Sequence, residues 1–90
     1  MDKTIMLIMV GNRKDTAGSL QKLLTQYGCS IKTRLGLHAA SDNVCSQGGL
    51  IILELVGDEQ VHNELYTKLA TLKCLSVKLE RMKLKNCLGG

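Results

Sequence analysis

Aromatic side chains are nearly missing from this 90-residue chain: Tyr27 and Tyr66 are the whole complement, with no Phe and no Trp. A protein that grips single-stranded nucleic acid by stacking bases on aromatic faces needs more than that. Its core must instead be built from Leu, Ile, Val and Met. Proline is absent as well, which excludes a rigid proline-rich linker or ligand segment. No two of Cys29, Cys45, Cys74 and Cys87 form a C-x-x-C pair, so the usual clue to a zinc, redox or iron–sulfur site is lacking. Nor is there an apolar run of membrane-spanning length. Residues 5–10 give way at once to Gly11 and Asn12, where a span needs about 20 apolar residues. The same run is too short for a secretory signal. The expectation is a cytoplasmic protein with reduced thiols.

What is present fits one small globular domain: 44% hydrophobic and 22% charged residues, enough apolar matter to fold yet little margin for burying it. We expect the domain to occupy residues 1–83, with 84–90 fraying toward Gly89-Gly90. The net charge is +4, and much of the excess sits late, in Lys73, Lys78, Arg81, Lys83 and Lys85. Spaced as they are, these read as the solvated side of a strand. With no basic helix and no helix-turn-helix pattern, direct DNA reading is not expected.

Hydrophobic periodicity sets the order of elements as strand, helix, strand, strand, helix, strand. Residues 4–10 make the first strand. Asn12 or Asp15 can cap the helix that follows. Ala17, Leu20, Leu23, Leu24 and Tyr27 form its apolar stripe, and Gly28 offers a left-handed stop. In the second strand Ile31, Thr33, Leu35 and Leu37 alternate with Lys32, Arg34, Gly36 and His38, as in a half-buried edge strand. Residues 39–48 are polar, small and aperiodic, long for a hairpin connection, and so a candidate mobile loop or site. Strand three runs from Gly49 to about Val56. Gly57-Asp58 ends it and caps a second helix whose stripe is Val61, Leu65, Leu69 and Leu72. Strand four begins near Cys74, with Leu75, Val77 and Leu79 alternating against Ser76, Lys78 and Glu80.

A βαββαβ order predicts an α+β, ferredoxin-like fold: a four-stranded antiparallel sheet with two helices on one face. Right-handed crossovers then put strands one and three in the centre. Those two strands, Ile5-Met6-Leu7-Ile8-Met9-Val10 and Leu50-Ile51-Ile52-Leu53, are apolar on both sides, whereas a half-solvated strand alternates. Two helices cover only one face. We therefore expect a homodimer formed through the helix-free face, with a higher oligomer as an alternative.

At Tyr27-Gly28, and then across Arg34-Leu35-Gly36-Leu37, the chain resembles the small ACT-like proteins of the iron-only hydrogenase system regulator family. They share a helix ending in Tyr-Gly, a strand with an Arg-x-Gly-hydrophobic core, an apolar third strand and a leucine-rich second helix. The resemblance covers residues 5–82. It implies a noncatalytic regulatory domain, dimeric, that senses an amino acid or another small effector beside the first strand-to-helix turn or binds another protein. In this chain that turn is Gly11-Asn12-Arg13, where backbone amides and the Arg13 charge suit a small anion. Gly36 is added as a place where a neighbouring subunit can approach closely. The plain alternative is an ordinary turn needing a Gly and a capping Asn. The nickel-responsive repressors have a ligand-binding domain of similar fold, but His38 with Cys45 supplies two donors, too few for nickel or structural zinc. No metal and no cofactor are expected.

Other chemistry finds little support. Cys29 and Cys74, each following a helix, read as small buried thiols, and Cys45 and Cys87 as exposed ones. His62, beside Val61 early in helix two, reads as solvated. Copper chaperones of this topology carry paired cysteines in the first turn, which has none. The alternative function is a small acylphosphatase-like hydrolase, which needs a glycine-rich first loop and an Arg. Gly11 and Arg13 are a fragment of that pattern, and neither His38 nor His62 has a nucleophile assignable to it.

Overall fold

The computed structural model describes residues 2–11, 14–38 and 49–86. Asn12, Arg13, the 39–48 segment with Cys45, and Cys87 lie outside them, as does the side chain of His38. The element order is β1 (Asp2–Val10), α1 (Lys14–Gln26), a 3₁₀ turn (Gly28–Ser30), β2 (Ile31–His38), β3 (Gly49–Leu55), α2 (Glu59–Ala70) and β4 (Leu75–Lys83). The four strands form one antiparallel sheet in the order β2-β3-β1-β4. The two strands with apolar residues on both sides are thus the central ones, as the ferredoxin-like reading requires.

Alternation along β1 sends Met6 and Ile8 to the helices, where they are fully buried. Directly across the register sit Leu53 and Ile51 of β3 and Leu79 and Val77 of β4. Leu20 and Leu24 of α1, Tyr27 just after it, and Leu65 and Leu69 of α2 close this layer from above. Burying such a side chain contributes about 1.5–3 kcal/mol, so this one face carries most of the stability of the fold.

The helices are rotated slightly from the expected stripes. Ala17 is exposed, and Thr16 takes the inward position. A hydroxyl is tolerated there because Thr16 Oγ1 donates to the Lys73 carbonyl at 2.7 Å, which satisfies the buried group. In α2 the buried stripe is His62, Leu65 and Leu69, with Val61 only half-buried. Asp58 caps α2 as expected, its Oδ1 accepting from the Gln60 amide at 2.9 Å.

Two other expectations are corrected. Gly28 is not a left-handed stop, since among the described residues the positive φ angles belong to Gly57 (89°) and Cys74 (55°). The chain leaves α1 through the 3₁₀ turn, held by Ser30 N–H donating to Tyr27 O at 2.9 Å and Val56 N–H to Ser30 O at 2.8 Å. Cys29 and Cys74 are both exposed rather than buried. Each sits in a turn, where the backbone bends away from the core and offers no inward direction to a short side chain.

β2 departs from strict alternation. Ile31 pairs with Leu55 and Thr33 with Glu54, so two steps along β2 match one along β3. The extra residue is Lys32, and the resulting bulge flips the strand beyond it. Ile31 stays with the core. Arg34 lies on the helix side, its guanidinium donating to Gln21 Oε1 of α1 at 3.1 Å. Leu35, opposite Ile52, turns to the helix-free face.

Candidate functional site

On the helix-free face β1 presents Ile5, Leu7 and Met9, β3 presents Leu50 and Ile52, and the bulge adds Leu35 from β2. Met9, on a central strand, is 63% exposed, and Leu35, on the edge strand β2, is 51% exposed. Beside them Leu7, Met9, Leu50 and Val77 line a shallow dent of about 490 Å³. Charges flank the patch. At one end Lys3 Nζ pairs with Glu54 at 2.9 Å, and along β4 Lys78 pairs with Glu80 at 3.7 Å. The Lys3 partnership holds the Glu54 carboxyl below the usual carboxylate range. An apolar centre bordered by polar groups is the composition of a protein–protein contact rather than of a solvated strand.

Of the first turn, Gly11 lies within the described residues. Gly11 is not there for flexibility, since its φ is not positive. A Cβ added to it would lie 3.1 Å from the Cys74 carbonyl oxygen and 3.2 Å from Cys74 Cβ. Its amide already donates to that carbonyl at 2.7 Å, so it is not a free donor for an anion. The glycine lets the α2–β4 turn close on the end of β1. Asn12 and Arg13 lie outside the described residues. Gly36 pairs with Ile51, two strands from β1 in the sheet order, about 10 Å from it at ordinary strand spacing. A Cβ on Gly36 would meet nothing within 4 Å, and the bulge of β2 falls at Lys32 instead.

At the opposite end of the sheet is a groove of about 460 Å³, lined among others by Lys3, Lys32, Glu54, Glu59, His62 and Arg81. Arg81 pairs with Glu59 and its Nε donates to Thr4 Oγ1 at 3.4 Å. His62 is only 2% exposed, contrary to its reading as solvated. Its Nε2 donates to the Val56 carbonyl at 2.7 Å, which in the neutral ring leaves Nδ1 as an acceptor. That nitrogen is buried and has no hydrogen-bond partner among the described residues. The sequence held a signal for this burial: His62 precedes Leu65 and Leu69 by three and seven residues, on the same helical stripe. The groove itself was not legible, because its residues come from five separate elements.

No family model matches the chain, and no curated protein matches it significantly. Among solved structures, an uncharacterized protein from Thermotoga maritima superimposes over 92% of this chain and 100% of its own, at 23% identity and a TM-score of 0.81. The apo form of CPII, a nitrogen regulatory PII-like protein from Thiomonas intermedia, covers 93% of this chain and 92% of its own at 13% identity and a TM-score of 0.58. The same protein bound to ADP, AMP and acetate matches over 94% and 90%, at 11% identity and a TM-score of 0.53. These likenesses establish a shared ferredoxin-like fold. No helix among the described residues is long and apolar enough to cross a membrane.

Proposed function

We propose that this chain is a noncatalytic, ACT-like regulatory domain of an iron-only hydrogenase system. It is a cytoplasmic homodimer, joined through the helix-free sheet face, that responds to a small anionic or amino-acid effector. The observation that carries the reading is the apolar patch of Ile5, Leu7, Met9, Leu35, Leu50 and Ile52 with its charged border. A soluble domain leaves such a surface bare only at a cost in solubility, and a second copy of the same face is the simplest cover. The fold shared with a PII-like protein that binds ADP and AMP supports a regulatory reading and makes nucleotides natural first probes.

The effector is proposed to sit at the first turn, with Arg13 as its cation and Asn12 beside it. Gly11 contributes the close seating of the turn, and Gly36 the approach of a neighbouring subunit. Residues 1–83 act as one unit. The test is native mass spectrometry of freshly isolated protein, followed by sedimentation at micromolar concentration and thermal scans with ADP, AMP and amino acids. A dimer with ligand-dependent stabilisation and no turnover is the expected result. A monomer at that concentration with no other partner present overturns the assembly. Hydrolysis of an acyl phosphate that vanishes in Arg13→Ala would establish the acylphosphatase-like alternative instead.

A further inference from the structure

We infer that the groove around His62 is a second binding site, at the opposite end of the sheet from the first turn, for a small carboxylate that also carries an N–H or O–H donor. Two unfilled valences define this ligand. The first is His62 Nδ1, buried and without a partner among the described residues. A buried acceptor left without a donor is a costly arrangement that a bound donor relieves. The second is Lys32, placed at the groove by the β2 bulge. Its charge acts on Glu54 through space, but it makes no ion pair among the described residues, whereas Lys3 and Arg81 are each engaged by a carboxylate.

The remaining groups narrow the choice. A simple anion would meet Glu54 and Glu59 along with the cations, and a simple cation would meet Lys32. The α2 N-terminus does not attract an anion, because Asp58 already accepts from the Gln60 amide. Val61 and His62 N–H groups likewise donate to the Asp58 carbonyl. A molecule with one carboxylate for Lys32 and one donor for His62 fills both vacancies and leaves the Lys3–Glu54 pair in place. The groove, about 460 Å³, falls within the roughly 300–1,000 Å³ usual for small-molecule sites. Reaching Nδ1 requires a rim side chain to yield. The Arg81–Glu59 pair, with side chains 40% and 63% exposed, is free enough to do so.

The test is an NMR titration of the full chain with lactate and, separately, propionate, which differs by lacking the hydroxyl. Lactate is expected to move the His62 Nδ1 resonance and the amides of 54–62, and to bind about tenfold or more tightly than propionate. Lys32→Ala should weaken lactate about tenfold or more while the amide spectrum stays folded. His62→Phe should abolish the preference for lactate over propionate. If that variant fails to fold, the Nδ1 resonance of the unaltered protein still decides. Equal response to the two acids, or lactate shifts confined to residues 10–16, overturns the inference. So does an Nδ1 already accepting from a long-lived water in the free protein. Because the readout is at 54–62, failure here leaves the first-turn reading untouched.

Discussion

Along β1 the side chains alternate between two different surroundings. Met6 and Ile8 point toward α1 and α2 and are fully buried, while Leu7 and Met9 point the other way, Met9 remaining 63% exposed. The residue types are interchangeable, and the surroundings are not. On the covered face each methylene is in place because the same chain supplies its partner. On the other face no element among the described residues covers Leu7 and Met9, so in the proposed dimer their apolar character would serve association rather than folding. The comparison separates two quantities that composition alone merges, stability of the domain and affinity for a second copy.

The largest effect is expected from truncating the covered face. Ile8→Ala and Leu53→Ala each remove a fully buried side chain and should cost about 2–5 kcal/mol, read from urea unfolding. Leu7→Ala, one position away, is expected to cost much less at concentrations where the chain is monomeric. Equal losses for Ile8→Ala and Leu7→Ala in the monomer would erase the distinction between the faces.

Next comes a charge placed on the uncovered face. Leu7→Glu or Leu35→Lys is predicted to convert a sedimenting dimer to a monomer and to remove any concentration dependence of Tm. A dimer that survives both substitutions would have to be assembled through another surface.

Smaller effects should come from groups on neither face, and they calibrate the comparison. Asp58→Ala removes the α2 cap and is expected to cost about 1 kcal/mol whether or not the chain is dimeric, measured by urea titration at two protein concentrations. A concentration-dependent loss would mean that the helix layer is coupled to assembly.

The smallest prediction concerns the clasp between the helices. Tyr27 Oη donates to Glu64 Oε1 at 2.8 Å, and the Lys68 ammonium lies 5.1 Å from the Tyr27 ring centre. Tyr27, with lesser help from Lys68, lowers the Glu64 carboxyl from its ordinary 4.5; Tyr27 and then Glu64 raise Lys68. A lowered carboxyl means that the unfolded chain binds the proton first. The Glu64 contribution is therefore present above pH about 4.5 and fades as the pH falls through the folded value. The Glu64 and Lys68 side chains are solvent-accessible, so Tyr27→Phe should flatten this acid limb of stability by less than the Asp58 cap is worth. An unchanged acid limb in Tyr27→Phe would remove the clasp from the account.

Much of this architecture was legible in the residues. The run of residues 5–10 and the run from Leu50 to Leu53 identified the central strands, and Gly57-Asp58 located the start of α2, because periodicity and cap chemistry are local. Helix rotation was less so. Thr16 displaced Ala17 from the core only because the Lys73 carbonyl, 57 residues away, accepts its hydroxyl. The candidate sites were the least legible. Arg13 and Asn12 lie outside the described residues, Gly11 proved to be packed against Cys74, and the groove around His62 was not anticipated.

Local patterning was enough to specify a four-stranded sheet, its central strands, and an apolar face beyond what two helices cover. Those facts follow from side-chain patterning over short stretches, where the period of 2 or 3.6 is set by the backbone. Where the bulge at Lys32 fell, and so on which face Leu35 came to lie, depended on the pairing of β2 with β3. Packing of the elements likewise set the His62 ring, bonded to the Val56 carbonyl, at a groove with residues from β1, β2, β3 and β4. Such outcomes depend on register between distant strands, a property of pairs of segments that no single segment encodes.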